Sequence, residues 1–213
     1  MTARAGRFAA LFAAMAVSAC TASPAPPAAQ PPPVTTTSAP APVTSSSAAP
    51  DKQDPRRYAP QVRQHAAAAG VNPQLLMAIL YNESYKPHDP ALERAWQKMD
   101  PDAAFGVANM HKAAFDEAKQ GRDFASRDWQ ELPDDPALAV AAAAWHVHDL
   151  ATQLAQAKTK AYTRDELLAL GYNAGASTML AVARGAAPNG QAESYVDRLR
   201  TNWAKAEEAL RTG

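Results

Sequence analysis

Asn72-Pro73-Gln74-Leu75-Leu76-Met77-Ala78-Ile79-Leu80-Tyr81-Asn82-Glu83-Ser84 opens as a well-marked helix and closes on a carboxylate. Asn72 suits the N-cap, because its side-chain oxygen can accept a backbone N–H of the first turn. Pro73 suits the first helical position, where no N–H is needed. Leu76, Ile79, Leu80 and Glu83 then fall at i, i+3, i+4 and i+7. They share one helical face, so the acid lies on the side turned to the core. Burial disfavours the ionised form, and the negative end of the helix dipole acts in the same direction. Both raise the pKa of Glu83 toward the range where a carboxyl group donates a proton near neutral pH. A helix-end Glu turned to solvent is the plain alternative when this segment is taken alone.

Around it the signals are helical. Arg56 to Ala69 reads as a first helix stopped by Gly70, with its regular part starting near Pro60. Asp135-Pro136 opens a long alanine-rich helix to about Lys158, whose small side chains allow neighbours to approach closely. Thr163-Arg164-Asp165-Glu166 has capping-box form ahead of Leu167, Leu168 and Leu170. A short helix around Thr178 to Arg184 stops at Gly185, and an amphipathic helix covers about Gln191 to Arg211. Tyr85 to Asp102 lacks a clear helical period and is expected to be irregular, as is the polar stretch Gly121 to Asp134. Trp129 in the second stretch is expected to pack, with stacking on a sugar as the lesser alternative. No alternating β-branched run predicts a sheet. The expected fold is mainly α.

Two further segments sharpen the reading of Glu83: Phe105-Gly106-Val107-Ala108-Asn109-Met110 and Gly171-Tyr172-Asn173-Ala174-Gly175. With Glu83-Ser84 ahead of them and Glu193-Ser194-Tyr195-Val196 after, they resemble the transglycosylase domain of soluble lytic transglycosylases and goose-type lysozymes. That family carries a Glu-Ser pair at a helix end, a Gly-Leu-Met-Gln-type turn, an Ala-Tyr-Asn-Ala-Gly segment and a Glu-x-x-Tyr-Val-like element. The last is one residue shorter here between Glu and Tyr. The resemblance spans roughly Tyr58 to Ala206 and implies a lysozyme-like domain acting on peptidoglycan glycan strands.

It also implies residue roles. Glu83 would be the single acid and base, and Ser84 would bond near the acid or the substrate, its alternative being a bond to backbone. Tyr172 and Asn173 would line the cleft, and Gly175 would occupy a turn that excludes a side chain. Glu193 and Tyr195 would approach the site from the last helix, the Tyr with its hydroxyl pointing in. Gly106 and Asn109 would meet the glycan. The turn departs from the pattern, since the usual Met is Ala108 and the usual Gln is Asn109. The shorter amide would lose or rearrange a substrate contact, with Met110 filling part of the space. Two other readings stand beside this one. A hydrolytic muramidase would use a second carboxylate from Asp89, Glu93, Asp100 or Asp102, and a non-catalytic lipoprotein would only bind the glycan.

The N-terminus reads as an address. Arg4 and Arg7 precede an apolar run, Phe8 to Val17, too short to span a bilayer. Val17-Ser18-Ala19-Cys20 resembles a bacterial lipobox, which implies a signal peptide over 1–19 and a lipid on Cys20. Cys20 is the single cysteine of the chain, so no intrachain disulfide can form. From residue 21 to about 50 there is no Asp, Glu, Lys or Arg. Such a Pro-, Ala-, Ser- and Thr-rich stretch is expected to be a disordered tether over 20–52, reaching about 90 Å at most. The transglycosylase domain then occupies 53–213, and the protein is expected as a monomer on the extracytoplasmic face of the cell membrane.

Charge and composition exclude other classes. The chain has 21 basic and 21 acidic residues, and loss of Arg4 and Arg7 with the signal leaves a net charge of −2. No Lys/Arg-rich block supports a nucleic-acid partner. His146-x-His148 sends its rings to different faces of a helix, and no His-Glu-x-x-His accompanies it, so no metal and no cofactor is expected.

Overall fold

Asn72 accepts the Gln74 N–H at 2.9 Å and Pro73 takes the first position, so α2 (Pro73–Glu83) begins where its sequence signals place it. The computed structural model describes residues 54–154 and 161–213. They belong to the second of the chain's two compact units, Ser47–Gly213. The expected signal peptide, Cys20 and the tether all lie outside the described residues.

A 3-10 turn, Pro55–Tyr58, leads into α1 (Ala59–Ala69). Gly70 ends α1 at φ 66°, and its N–H and that of Val71 close the last carbonyls. This backbone conformation carries no steric penalty only for glycine. After α2 come α3 (Pro90–Gln97), α4 (Lys112–Ala118), α5 (Pro136–Gln153), α6 (Arg164–Ala183) and α7 (Gly190–Thr212), with a 3-10 turn at Trp129–Glu131. Among the described residues β pairing is limited to one antiparallel bridge, Phe105 with Met110.

The core is organised on α2. Every residue from Leu75 to Glu83 is buried, so this helix is enclosed on all sides rather than along one stripe. It lies most extensively against α7 and also meets α1. Each fully buried Leu here contributes about 1.5–3 kcal/mol. Polar bonds fix the α2–α7 register: Asn82 Nδ2 donates to the Tyr195 carbonyl at 3.0 Å, Asn202 Nδ2 to Asn82 Oδ1 at 2.9 Å, and Gln74 Nε2 to the Trp203 carbonyl at 3.0 Å. α5 supplies the other wall. Its alanines from Ala139 to Ala144 are buried, and it packs against α1, α4 and α6.

Several expectations are corrected. Residues 90–97, expected to be irregular, form α3: Asp89 caps it through the Leu92 N–H at 2.9 Å and Pro90 stands in its first turn. Its apolar residues point outward. Leu92, Trp96 and nearby Met99 are exposed, while Glu93 is the residue of α3 that is buried. Leu92, Ala95, Trp96 and Met99 do keep the i, i+3, i+4, i+7 spacing of a helix, but the face they mark is the exposed one. The seven-residue α4 had no marked start and was not expected at all. α5 ends at Gln153 with the Leu154 N–H on the Leu150 carbonyl, and the rest of the stretch to Lys158 lies outside the described residues. The capping box at Thr163 forms as expected, and α6 breaks at Gly175, whose φ of 84° and ψ of 159° are not helical, so the part beyond it, ending at Ala183, is the short helix expected around Thr178 to Arg184.

Candidate active site

Glu83 ends α2 and is only 6% exposed. Both of its oxygens accept hydrogen bonds, from the Tyr195 hydroxyl on Oε1 at 2.7 Å and from Asn109 Nδ2 on Oε2 at 3.0 Å. Burial raises the carboxyl pKa. The bonds from Tyr195 and Asn109 pull it down, as do the charges of Arg198 and His88, and burial wins. Glu83 is therefore a protonatable acid whose ionised form already has two donors, the pair of states an acid-then-base cycle requires. Tyr195 can reverse its hydroxyl to accept from the protonated acid, whereas the Asn109 NH₂ can only donate.

Tyr195 is buried, and its hydroxyl is pushed well up by burial and by the Glu83 charge, so it stays a neutral donor. Asn82, the neighbour of Glu83 on α2, holds the Tyr195 carbonyl and so ties acid and donor to one register. Arg198, one turn further along α7, lies 5.4 Å from the Tyr195 ring centre. Tyr195→Phe should remove one bond that favours the carboxylate, so the Glu83 pKa rises further. Activity that depends on protonated Glu83 falls as pH rises through that pKa, and its alkaline limb should move to higher pH. The rate should drop about tenfold, matching ~1.5 kcal/mol for a bond to a charged group. A pH–rate profile checks both, and an unmoved limb would remove Tyr195 from the acid's control.

The Asn109 amide arrives through a tight turn. Asn109 N–H bonds the Gly106 carbonyl at 2.8 Å, and Phe105 and Met110 exchange backbone bonds at 3.0 and 2.9 Å. Gly106 sits at φ 70° and Asn109 at φ 50°, and Asn tolerates this left-handed region better than most side chains. The Tyr172 hydroxyl donates to the Ala108 carbonyl at 2.6 Å, with burial and then Glu83 pushing its pKa up. Beneath the turn, Trp129 stacks on Phe105 at 4.1 Å and donates its indole N–H to the Met110 carbonyl at 2.8 Å. Trp129 is thus buried support for the turn, as packing predicted.

The site residues expected from sequence are divided by the fold. Glu83, Asn109, Tyr195 and, through Ala108, Tyr172 are brought together. Asn109 is corrected in one respect: its short amide reaches the acid itself. It also donates to the Tyr85 hydroxyl at 3.1 Å, and Oδ1 is buried with no protein partner. Gly106 is buried against Leu132 and Ala139, so it builds the turn and presents no surface to a ligand. Ser84 donates to the Tyr81 carbonyl at 2.8 Å, the backbone alternative. Glu193 is exposed on the first turn of α7, about 200° around the helix from Tyr195, and so is turned away from the acid. Asn173 is exposed beside the kink. Gly175, at φ 84° and ψ 159°, makes that kink within α6, and an added Cβ there would meet open space.

Sequence reasoning missed Tyr85, Asn82 and Arg198. Asn82 carried a usable signal, an amide inside an otherwise apolar helix, whereas Tyr85 lies in a stretch without helical period and Arg198, one turn past Tyr195 on the amphipathic last helix, reads as an ordinary solvent-face charge. The candidate second carboxylates are occupied elsewhere. Asp89 caps α3, Asp100 accepts the Asp102 N–H at 3.2 Å, Asp102 is exposed, and both oxygens of buried Glu93 are bonded. His146 meets Tyr172 edge-on at 5.5 Å while His148 bonds the Ala69 carbonyl, so the two rings diverge as their spacing required.

No curated protein and no solved structure gives a significant match to the chain. The family described as the transglycosylase SLT domain matches residues 60–194, a span that includes Glu83, the Gly106–Asn109 turn and the Tyr172–Gly175 segment. With a lysozyme-like, all-helical domain built around a buried acid on the same residues, the chain belongs to the transglycosylase SLT domain family, whose general activity is on peptidoglycan.

Proposed function

We propose that the protein is a lytic transglycosylase that cleaves the β-1,4 bond between N-acetylmuramic acid and N-acetylglucosamine, with Glu83 as its one acid and base. The observation that supports this most is Glu83 itself: a buried carboxyl with a raised pKa, two neutral donors and, among the described residues, no second carboxylate hydrogen-bonded to it. Protonated Glu83 gives its proton to the bridging oxygen as the bond breaks. The substrate's N-acetyl group assists as charge develops at the anomeric carbon. Ionised Glu83, now held by Tyr195 and Asn109, takes the proton of the same sugar's 6-hydroxyl, whose oxygen closes on the anomeric carbon. Glu83 is reprotonated, the product ends in 1,6-anhydromuramic acid, and no water is consumed. The intramolecular nucleophile is held at high effective concentration, so no protein base for water is needed.

Mass spectrometry of purified peptidoglycan digested in ¹⁸O-labelled water tests the reaction. The expected products are anhydro ends without label. Labelled reducing ends would make the protein a hydrolytic muramidase, and binding without turnover would make it a glycan-binding lipoprotein. The proposal extends to placement: a monomer anchored outside the cell membrane by a lipid on Cys20, through the tether. Cys20→Ser should move the protein out of the membrane fraction, or block its maturation, while the activity of the recovered protein is unchanged. Continued membrane association of variant protein that has lost its signal peptide would remove the anchor.

A further inference from the structure

We propose that Glu93 is a positioning residue for Glu83, because its carboxylate fixes the turn that holds the Asn109 amide on the acid. The inference rests on Glu83 being the acid. Glu93 is 5% exposed on the inner face of α3. Oε2 accepts the Gly106 N–H at 2.8 Å, and Oε1 lies 2.9 Å from His88 Nδ1. Gly106 is the first residue of the turn, and its carbonyl receives the Asn109 N–H at 2.8 Å. Asn109, the last residue, then places Nδ2 on Glu83 Oε2 at 3.0 Å. Each link is one hydrogen bond, and together they run from α3 through the turn to the acid.

A buried carboxylate–imidazole pair is a poor way to gain stability, since an apolar pair of the same shape avoids the desolvation cost. This pair also leaves His88 Nε2 buried with no protein partner. What the carboxylate provides is an acceptor for the Gly106 N–H, which sits in a left-handed turn where no helix or sheet ladder can satisfy it. With that acceptor displaced, the turn can pivot and carry the Asn109 amide off the acid. The other groups facing Glu83 come from different elements: Tyr195 and Arg198 from α7, Tyr172 from α6 and His88 from the segment before α3. None of them is bonded to Gly106.

Glu93→Asp is the informative variant, because it keeps the charge and shortens the reach by one methylene. Carbon-13 titration of the Glu83 carboxyl in the full chain, assigned by its absence in Glu83→Gln, should give a midpoint at higher pH than wild type. The bond from Asn109 favours the ionised form, so its loss raises the midpoint. Asn109→Ala should do the same. The double variant should move no further than Asn109→Ala alone, since both changes remove one contact. On peptidoglycan, kcat should fall roughly tenfold to a hundredfold with KM within about twofold, as for a mispositioned acid. Arg94→Ala, which loosens α3 through its bond to the Gln130 carbonyl, should lower the thermal midpoint without moving the titration. The inference is overturned if Glu93→Asp and Glu93→Ala both leave the Glu83 midpoint in place, or if the shifts add in the double variant. Turnover retained by Glu83→Gln would instead overturn the reading of the acid, whatever Glu93 does.

Discussion

Glu83→Gln lowers turnover on peptidoglycan by roughly 10²- to 10⁴-fold, the usual worth of one positioned acid–base group, and reaches the upper end because one residue serves both proton transfers. The amide matches the carboxyl in shape and keeps an acceptor for Asn109, and Tyr195 can turn its hydroxyl to accept from the new NH₂. The fold is retained, and the stability change has a defined sign. Burial raises the Glu83 pKa above its unfolded value, so the contribution of this group is fully present below the unfolded pKa and lost as pH rises through the folded one. Gln carries no charge to bury. The variant should therefore melt at a higher temperature than wild type near neutral pH, with the gain disappearing on acidification. Activity within a few-fold of wild type would remove Glu83 from the mechanism, and a gain in stability that does not depend on pH would contradict its burial as a titrating acid.

Gly106→Ala should be the most damaging substitution outside the acid. An added Cβ would come 2.8 Å from the Leu132 carbonyl oxygen, 3.1 Å from Leu132 Cβ and 3.2 Å from Ala139 Cβ. The closest of these is backbone and cannot swing aside. The residue would also be held at φ 70°, which costs a side chain about 1–2 kcal/mol before any clash. Together these give about 3 kcal/mol or more, a fall of about 6–12 °C in thermal midpoint for a domain of this size. Gly121→Ala is the matched control, with the same φ of 70° and nothing within 4 Å of its added Cβ. It should lose the conformational share alone. Equal losses at the two sites would mean that the Gly106 turn is not pressed against Leu132. Turnover should fall with Gly106→Ala in the protein that remains folded, because this turn delivers Asn109 to Glu83.

The sequence by itself determined the helices whose ends carry local chemistry. Asn72-Pro73, Asp135-Pro136, Thr163 with Glu166, and Gly70 each satisfy or terminate backbone groups within a few residues, so their effect needs no partner from elsewhere in the chain. The inward face of Glu83 was legible for the same reason, since a spacing of three and four residues along one helix is a local fact. Four short motifs in order then pointed to the family. Tertiary structure alone decided which motif residues meet the acid. Tyr195 stands 112 positions from Glu83 and Asn109 stands 26 away, and nothing local distinguishes them from Ser84 or Glu193, which bond backbone or face solvent. α3 carried local signals, the Asp89-Pro90 start and the helical spacing of Leu92, Ala95, Trp96 and Met99. Only the tertiary structure decided that its apolar face lies outward and its charged Glu93 inward, the reverse of the usual core-facing pattern. The sharp turn at Gly106 was suggested by its glycine, but its purpose was not. That purpose follows from what packs beneath it and from the α3 carboxylate that holds it, and both come from distant parts of the chain.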